Sequence, residues 1–214
     1  MPSWLVLQLA DAAFPTGGYV HSGGLEAAVQ AGSVELAAFC GEALAQAAHG
    51  ALPLAGAAWD VPEALAEIDA FAGATLWSHV AARASTAQGW ALLDVADRAF
   101  GGFAETRARV ASGALAGHVA PLFGFVARRL GVERDDALAT LLHVALRGVL
   151  SAAVRLGVAG PGEAQGLHRA LHPALDAALA TGRALGLREV SQPAPLVELI
   201  QARHDHLYSR LFQS

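Results

Sequence analysis

Alanine and leucine together make up more than a third of the 214 residues, while isoleucine occurs twice. No stretch alternates apolar and polar residues in the manner of a half-buried strand. The two dominant residues lose little freedom in a helix, and the β-branched residues that favour strands are scarce. The chain is therefore read as all-α. At 54% hydrophobic and 15% charged it is far from the composition of a disordered segment. The clearest periodicity follows Asp135 and Asp136. Leu138, Leu141, Leu142, Ala145, Val149, Ala152, Ala153 and Leu156 recur at three- and four-residue steps and predict a central helix, with Arg147 and Arg155 at its polar edge. Ser33 as N-cap, with Glu35 in the first turn, predicts a helix carrying Leu36, Phe39, Cys40, Ala43, Leu44 and Ala47, ended by Gly50 and Pro53. Pro62 opens another near residues 63–71, closed by Gly73, and weaker helices are expected around residues 77–84 and 90–100. A pattern over residues 167–179 is broken at Pro173, and Pro195 opens a last helix with Leu196, Leu199, Ile200, Arg203 and Leu207 on one face. No Pro-, Gly- or Ser-rich linker divides the chain. Residues 1–214 are expected to form a single domain, a compact bundle of roughly eight to ten short and medium helices.

Composition also excludes functions. The chain has no lysine and no asparagine, and all 14 basic residues are arginine. It therefore lacks a phosphate-loop lysine, a Schiff-base lysine and a kinase lysine. Cys40 stands alone and cannot form an internal disulfide. Residues 1–82 carry eight acids and no base, a charge of −8; residues 83–214 carry all the arginines against 11 acids, a charge of +3. An acidic half speaks against nucleic acid as a partner and suits a basic protein surface. The opening MPSWLVLQLAD lacks the basic region of a secretory signal. Two charge-free stretches, residues 43–59 and 110–127, are interrupted by Gly, Pro and His, so neither is expected to span a membrane. The expectation is a cytoplasmic protein whose surplus apolar surface is covered by a protein partner or a second copy.

The most unusual stretch is FPTGGYVHSGGLE, residues 14–26. Pro15 and four glycines mark a tight, specially shaped loop that runs into a helix at Gly-Leu-Glu. Ser22 is not the nucleophile of a GxSxG elbow, because Val20 occupies the first glycine position. Glu26 falls in the first helical turn, where it either complements the helix dipole, worth ~0.3–1 kcal/mol, or carries function. Both readings stay open on the residues alone. His168 and His172 share a helix face, but HRALH lacks the glutamate of a zinc-protease motif. His204 and His206 form an HDH cluster. With one cysteine in the chain, a closed structural zinc site is not expected; a weak, transient nickel or zinc contact is the most these histidines suggest. The carboxylate pairs Glu63/Glu67, Asp94/Asp97 and Asp135/Asp136 have no nucleophile or base at a catalytic spacing, and no enzyme is expected.

Three blocks resemble the UreF family of urease accessory proteins: LQLADAAFPTGGYVHSGGLEAAVQAG at residues 7–32, AAVRLGVAGPGEAQGLHRAL at 152–171, and HDHLYSRLFQS at 204–214. RASTAQGWALL at 83–93 fits more loosely. Gln213 departs from the second arginine frequent in the family, and the loop at residues 160–162 departs from its usual Leu-Gly-Gln. The resemblance implies a non-enzymatic, all-helical, dimeric maturation factor. Such a factor binds UreD (UreH in some organisms), recruits the GTPase UreG and docks on apo-urease so that nickel is installed. It implies no resident cofactor: nickel passes through, and GTP belongs to the partner. Carried onto matching positions, the partner-binding residues are Tyr19, His21, Ser22, Gly24, Leu25, Glu26, Gln165, His204, Tyr208, Ser209, Arg210, Leu211 and Phe212. Tyr19, Ser22 and Glu26 are expected together at a surface used by UreG or lining the metal route. The tail from about residue 203 is expected to be frayed alone and to order on UreD, with Arg210 donating to backbone carbonyls. No resident metal site is expected beyond a weak, transient nickel contact at Glu26, His21, His204 and His206; the alternative is a metallochaperone that itself stores nickel through the surface histidines His21, His204 and His206.

Overall fold

A computed structural model describes residues 3–32 and 34–214. Regular structure among them is helical throughout, with no strand. In chain order the helices are α1 Trp4–Ala10, α2 Leu25–Gln30, α3 Leu36–Gln46, α4 Leu52–Asp60, α5 Leu65–Thr75, α6 His79–Phe100, α7 Ala104–Ala111, α8 Val119–Arg129, α9 Arg134–Arg155, α10 Pro161–Ala170, α11 His172–Ala184 and α12 Pro195–Ala202. Short 3-10 turns lie at Gly18–Val20, Pro62–Ala64, Leu187–Glu189 and Arg203–His206. A π-helical turn, Ala47–Ala51, joins α3 to α4. The described residues form slightly more helices than the eight to ten expected.

The expected central helix is α9. It places Asp135 and Asp136 in its first turn, where they complement the dipole. Leu138, Leu142, Leu146, Leu150 and Ala153 are buried along it, and α1, α2, α3, α4, α8, α10 and α11 all pack against it. Ala145, expected in the same stripe, instead faces a cavity. By length and composition α9 is long and apolar enough to cross a membrane, yet 56% of its most apolar window is buried inside the fold.

Several boundaries differ from the sequence reading for identifiable reasons. Ser33 lies outside the described residues; Glu35 itself caps α3, accepting from the Ala37 and Ala38 amides at 3.0 and 2.6 Å. Gly50 and Pro53 do not end that helix. Proline removes the amide that would bond to the carbonyl four residues back. That carbonyl, on His49, accepts from Ser191 N–H at 3.1 Å instead, and the π-turn carries the rod through. Residues 79–100 form one helix with Gly89 in its interior, because a Cβ there would collide with the Gly117 carbonyl. Three helices, α1, α7 and α8, are absent from the sequence reading. Pro121 sits at the third position of α8, where an amide has no intrahelical partner in any case. Gly124 lies flat against α4, with no room for a Cβ beside the Ala55 carbonyl. Asp69 of α5 fastens the start of α8 by accepting from the Gly117 and His118 amides at 3.0 and 2.7 Å. The break expected at Pro173 and the start expected at Pro195 are both present.

Two glycine replacements test this packing. Gly124→Ala must push α8 off α4 and is expected to destabilise the fold by about 1–3 kcal/mol. Gly148→Ala meets no atom within 4 Å and is expected to stabilise α9 by about 0.5–1 kcal/mol. Denaturant midpoints check both, and equal midpoints would mean that the α4–α8 contact is looser than the structure has it.

Candidate functional site

The glycine-rich leader is shaped by residues that must turn left-handed. Gly24 has φ +93°, and a Cβ on it would press to 3.1 Å from Gln201 Cβ on α12. The leader can therefore reverse and lie against α12 only with glycine at this position. The reversal starts α2 at Leu25, which is fully buried, and turns Glu26 inward to 2% exposure.

Glu26 is the hub of the site. Its Oε1 accepts from the Leu211 amide at 2.6 Å, and its Oε2 accepts from the Phe212 amide at 3.1 Å and from His204 Nε2 at 3.1 Å. An ionised carboxylate only accepts, so His204, which is wholly buried, carries its proton on Nε2. Next to it, the Ser22 amide and hydroxyl both donate to the Ser214 main-chain oxygen, at 2.6 and 2.8 Å. The Gln213 amide donates to the Val20 carbonyl at 2.7 Å, and His21 Nδ1 lies 2.7 Å from the Ser214 hydroxyl. Burial, with Arg83 and His204 nearby, lowers the His21 pKa.

Two arginines clamp this junction from outside. Arg155, at the end of α9, donates to the Tyr19 carbonyl. Its guanidinium stands 3.9 Å from the Tyr19 ring centroid and 4.2 Å from that of Phe212, between leader and tail. Arg83 of α6 makes two bonds to Asp205, at 2.7 and 3.1 Å, and His79 adds a third at 3.0 Å. The Arg83 bonds hold the Asp205 carboxyl down at about 2.

The tail thus folds back on its own chain, where order only on a partner was expected. The reason is that Glu26 satisfies two tail amides and Ser22 binds the Ser214 oxygen. Ser22 and Glu26 do not reach a surface; of the leader trio only Tyr19 does, at 67% exposure. Gly24, Leu25, His204 and Phe212 hold the junction together. Tyr208 and Leu211 face solvent, as do Ser209 and Arg210. The Ser209 carbonyl accepts from Gln30 at 2.9 Å. Arg210 lies 3.5 Å from Asp205 rather than on carbonyls. Gln165 is exposed on α10, which packs on α9 and α11, and takes no part in the junction. His204 is buried and His206 exposed, so the HDH cluster does not converge on one point. Among the described residues no group of three His, Cys, Asp or Glu is arranged to hold a metal ion. Sequence reasoning missed Arg83 and Asp205 as a pair, and it placed Arg155 only at a helix edge.

Behind the leader lies a cavity of about 460 Å³, which the sequence did not reveal. Its walls include Phe14, Leu54, Phe123 and Leu141, with His21, His118, Arg147 and Glu198 as ionisable groups. Glu198 is buried, and its Oε1 accepts from Gln46 at 2.5 Å. Its Oε2 has no partner among the described residues, and burial raises its pKa. Burial likewise lowers the His118 pKa.

Removing the Glu26 carboxylate leaves two amides and an imidazole without an acceptor, a loss of about 1–3 kcal/mol per orphaned group if they stayed buried. The tail is expected to detach instead. Glu26→Ala should speed chymotryptic cleavage within residues 207–212 by about ten-fold or more, with helix content unchanged by circular dichroism. Equal cleavage rates would mean that this carboxylate does not hold the tail.

Comparison with known proteins agrees with the motifs. The family model UreF matches residues 31–172. The chain is 34% identical to "Urease accessory protein F" of Arabidopsis thaliana, over 99% of this chain and 92% of that one. It is 32% identical to "Urease accessory protein F" of Oryza sativa subsp. indica, over 98% and 84% of the two chains. Identity is also 32% to "Urease accessory protein UreF" of Arthrobacter sp. (strain FB24), over 97% and 95%. With similarity of this extent running through leader, bundle and tail, the chain belongs to the UreF family of urease accessory proteins.

Proposed function

We propose that this protein is a non-catalytic, cytoplasmic maturation factor that acts as a homodimer, binds UreD (UreH), and recruits or regulates the GTPase UreG for nickel insertion into apo-urease. One observation carries the reading: the leader and tail are locked to each other by Glu26, and the lock leaves Tyr19, Tyr208 and Leu211 facing outward. Large apolar groups carried on a backbone already tied down leave less of the chain to be ordered on docking, which favours a protein-binding surface. Tyr208 and Leu211 form the face for UreD, and Tyr19 with Arg155 extends it toward UreG. Nickel is cargo in this scheme. The cavity behind the leader offers it a route, with the Glu198 carboxyl and the His21 imidazole as passing ligands of suitable chemistry.

The test separates holding from presenting. Tyr208→Ala with Leu211→Ala removes only exposed groups and is expected to abolish co-purification with UreD at micromolar concentration while tail proteolysis stays slow. Anchors of this kind contribute roughly 2 kcal/mol or more each, about thirty-fold in affinity. Undiminished capture of UreD would overturn the assignment of this face. Equilibrium dialysis of the isolated protein with nickel decides the remaining point: a tight stoichiometric site would favour a metallochaperone over a scaffold.

A further inference from the structure

Helix α10 is weak by composition. Its ten residues include Gly162 in the first turn and Gly166 in the interior, the latter costing about 1 kcal/mol against alanine. A helix this short depends on tertiary contacts, and those of α10 are narrow. Ala164 is its one fully buried residue, and Leu167 is partly buried against the core. The third anchor is His168. Its ring lies edge to face between His143 of α9 and His172 of α11, with centroid separations of 5.4 and 5.5 Å. Its Nε2 is buried without a hydrogen-bond partner among the described residues. Both ends of α10 are breaks in the helical path, at the left-handed Gly157 (φ +70°) and at Leu171 before Pro173.

We propose that this stack of three imidazoles is an acid-released latch: when the rings take up protons, like charges meet at one point and α10 lets go of α9 and α11. The surrounding charges do not offset that repulsion. Arg147 of α9 acts on His143 in the same sense as a second positive charge. Glu163 of α10 is engaged with the Gly160 amide at 3.2 Å, and Arg169 is exposed at the helix end. On α11, Asp176 is exposed one turn beyond His172, and Arg183 pairs with Asp135 of α9 at 3.1 Å. No carboxylate contributes to the ionisation of His143 or His168; burial and then the neighbouring imidazole hold both pKa values below the ordinary one. The sign follows from linkage. A histidine whose folded pKa is lowered binds protons more readily unfolded, so its contact is intact at neutral pH and weakens as pH falls through about 6.5. Gln165 rides on α10, so a partner contact made there is lost with the latch.

Hydrogen exchange of the full chain at pH 7.5 and 5.5, corrected for intrinsic rates, tests this. Protection of the α10 amides is expected to fall about ten-fold or more relative to α4. His168→Phe should remove the pH dependence, and His172→Gln, at an exposed ring, should reduce it. Loss of protection in step with α4, or an undiminished loss in the variants, would overturn the latch. If His168→Phe does not fold, His172→Gln decides alone.

Discussion

A carboxylate taken out of water is costly unless its lone pairs are filled. Glu26 fills them with two tail amides and one imidazole rather than with an arginine. An arginine partner would have made an ion pair local to one pair of side chains. Main-chain partners instead tie residue 26 to residues 211 and 212, far along the chain, and the other leader–tail contacts gather around that closure. The Ser22–Ser214 bonds, the Arg155 stack on Tyr19 and Phe212, and the Gln30–Ser209 bond all require leader and tail already side by side.

The bundle positions this closure by close backbone approaches. Gly24 lets the leader lie on α12, Gly124 lets α8 lie on α4, and Gly89 lets α6 meet the loop before α8. α9 then runs through the middle and delivers Arg155 from its last turn to the junction and Arg147 to the Ala10 carbonyl. The same helix carries His143 at the other contact, under α10. Core and surface are coupled here through one rigid rod, so the two ends of the chain are held by an element that neither end touches in sequence.

The parts legible in the sequence were those with a repeating signal. The α9 stripe of leucines and alanines, the break at Pro173, the start at Pro195, and the tight leader all have local causes that a single window contains. The parts that were not legible depend on distant neighbours. Pro121 and Gly124 read as helix breakers, yet α8 tolerates the first at its third position and needs the second to meet Ala55. Pro53 reads as a stop, yet Ser191 takes up the carbonyl it leaves free. Glu26 in a first turn has the same sequence context whether it complements a dipole or receives the tail; only the arrival of residues 204, 211 and 212 separates the two. The motif itself also mixes roles. Within Tyr-Ser-Arg-Leu-Phe, Phe212 is buried and Tyr208 fully exposed, so a string of adjacent residues divides between holding and presenting.

The charge asymmetry between residues 1–82 and the rest looks different once each acid is placed. Glu26, Glu35 and Asp69 are spent on main-chain amides, Asp11 caps the Ala13 amide at 2.7 Å, and Asp60 pairs with Arg134 at 3.0 Å. Of these, Glu26 and Asp69 are buried and Asp60 is offset by the Arg134 guanidinium, while Asp11 and Glu35 stay exposed, so the formal −8 overstates by a few charges the field at the surface. Coulombic attraction between exposed groups is further screened within about 8–10 Å at physiological salt. The outward Tyr19, Tyr208 and Leu211 carry no such discount, since apolar area counts in full wherever it is covered. In the function proposed above, recognition by this surface rests chiefly on shape and apolar contact, while Arg83 and Asp205 fix the tail behind it.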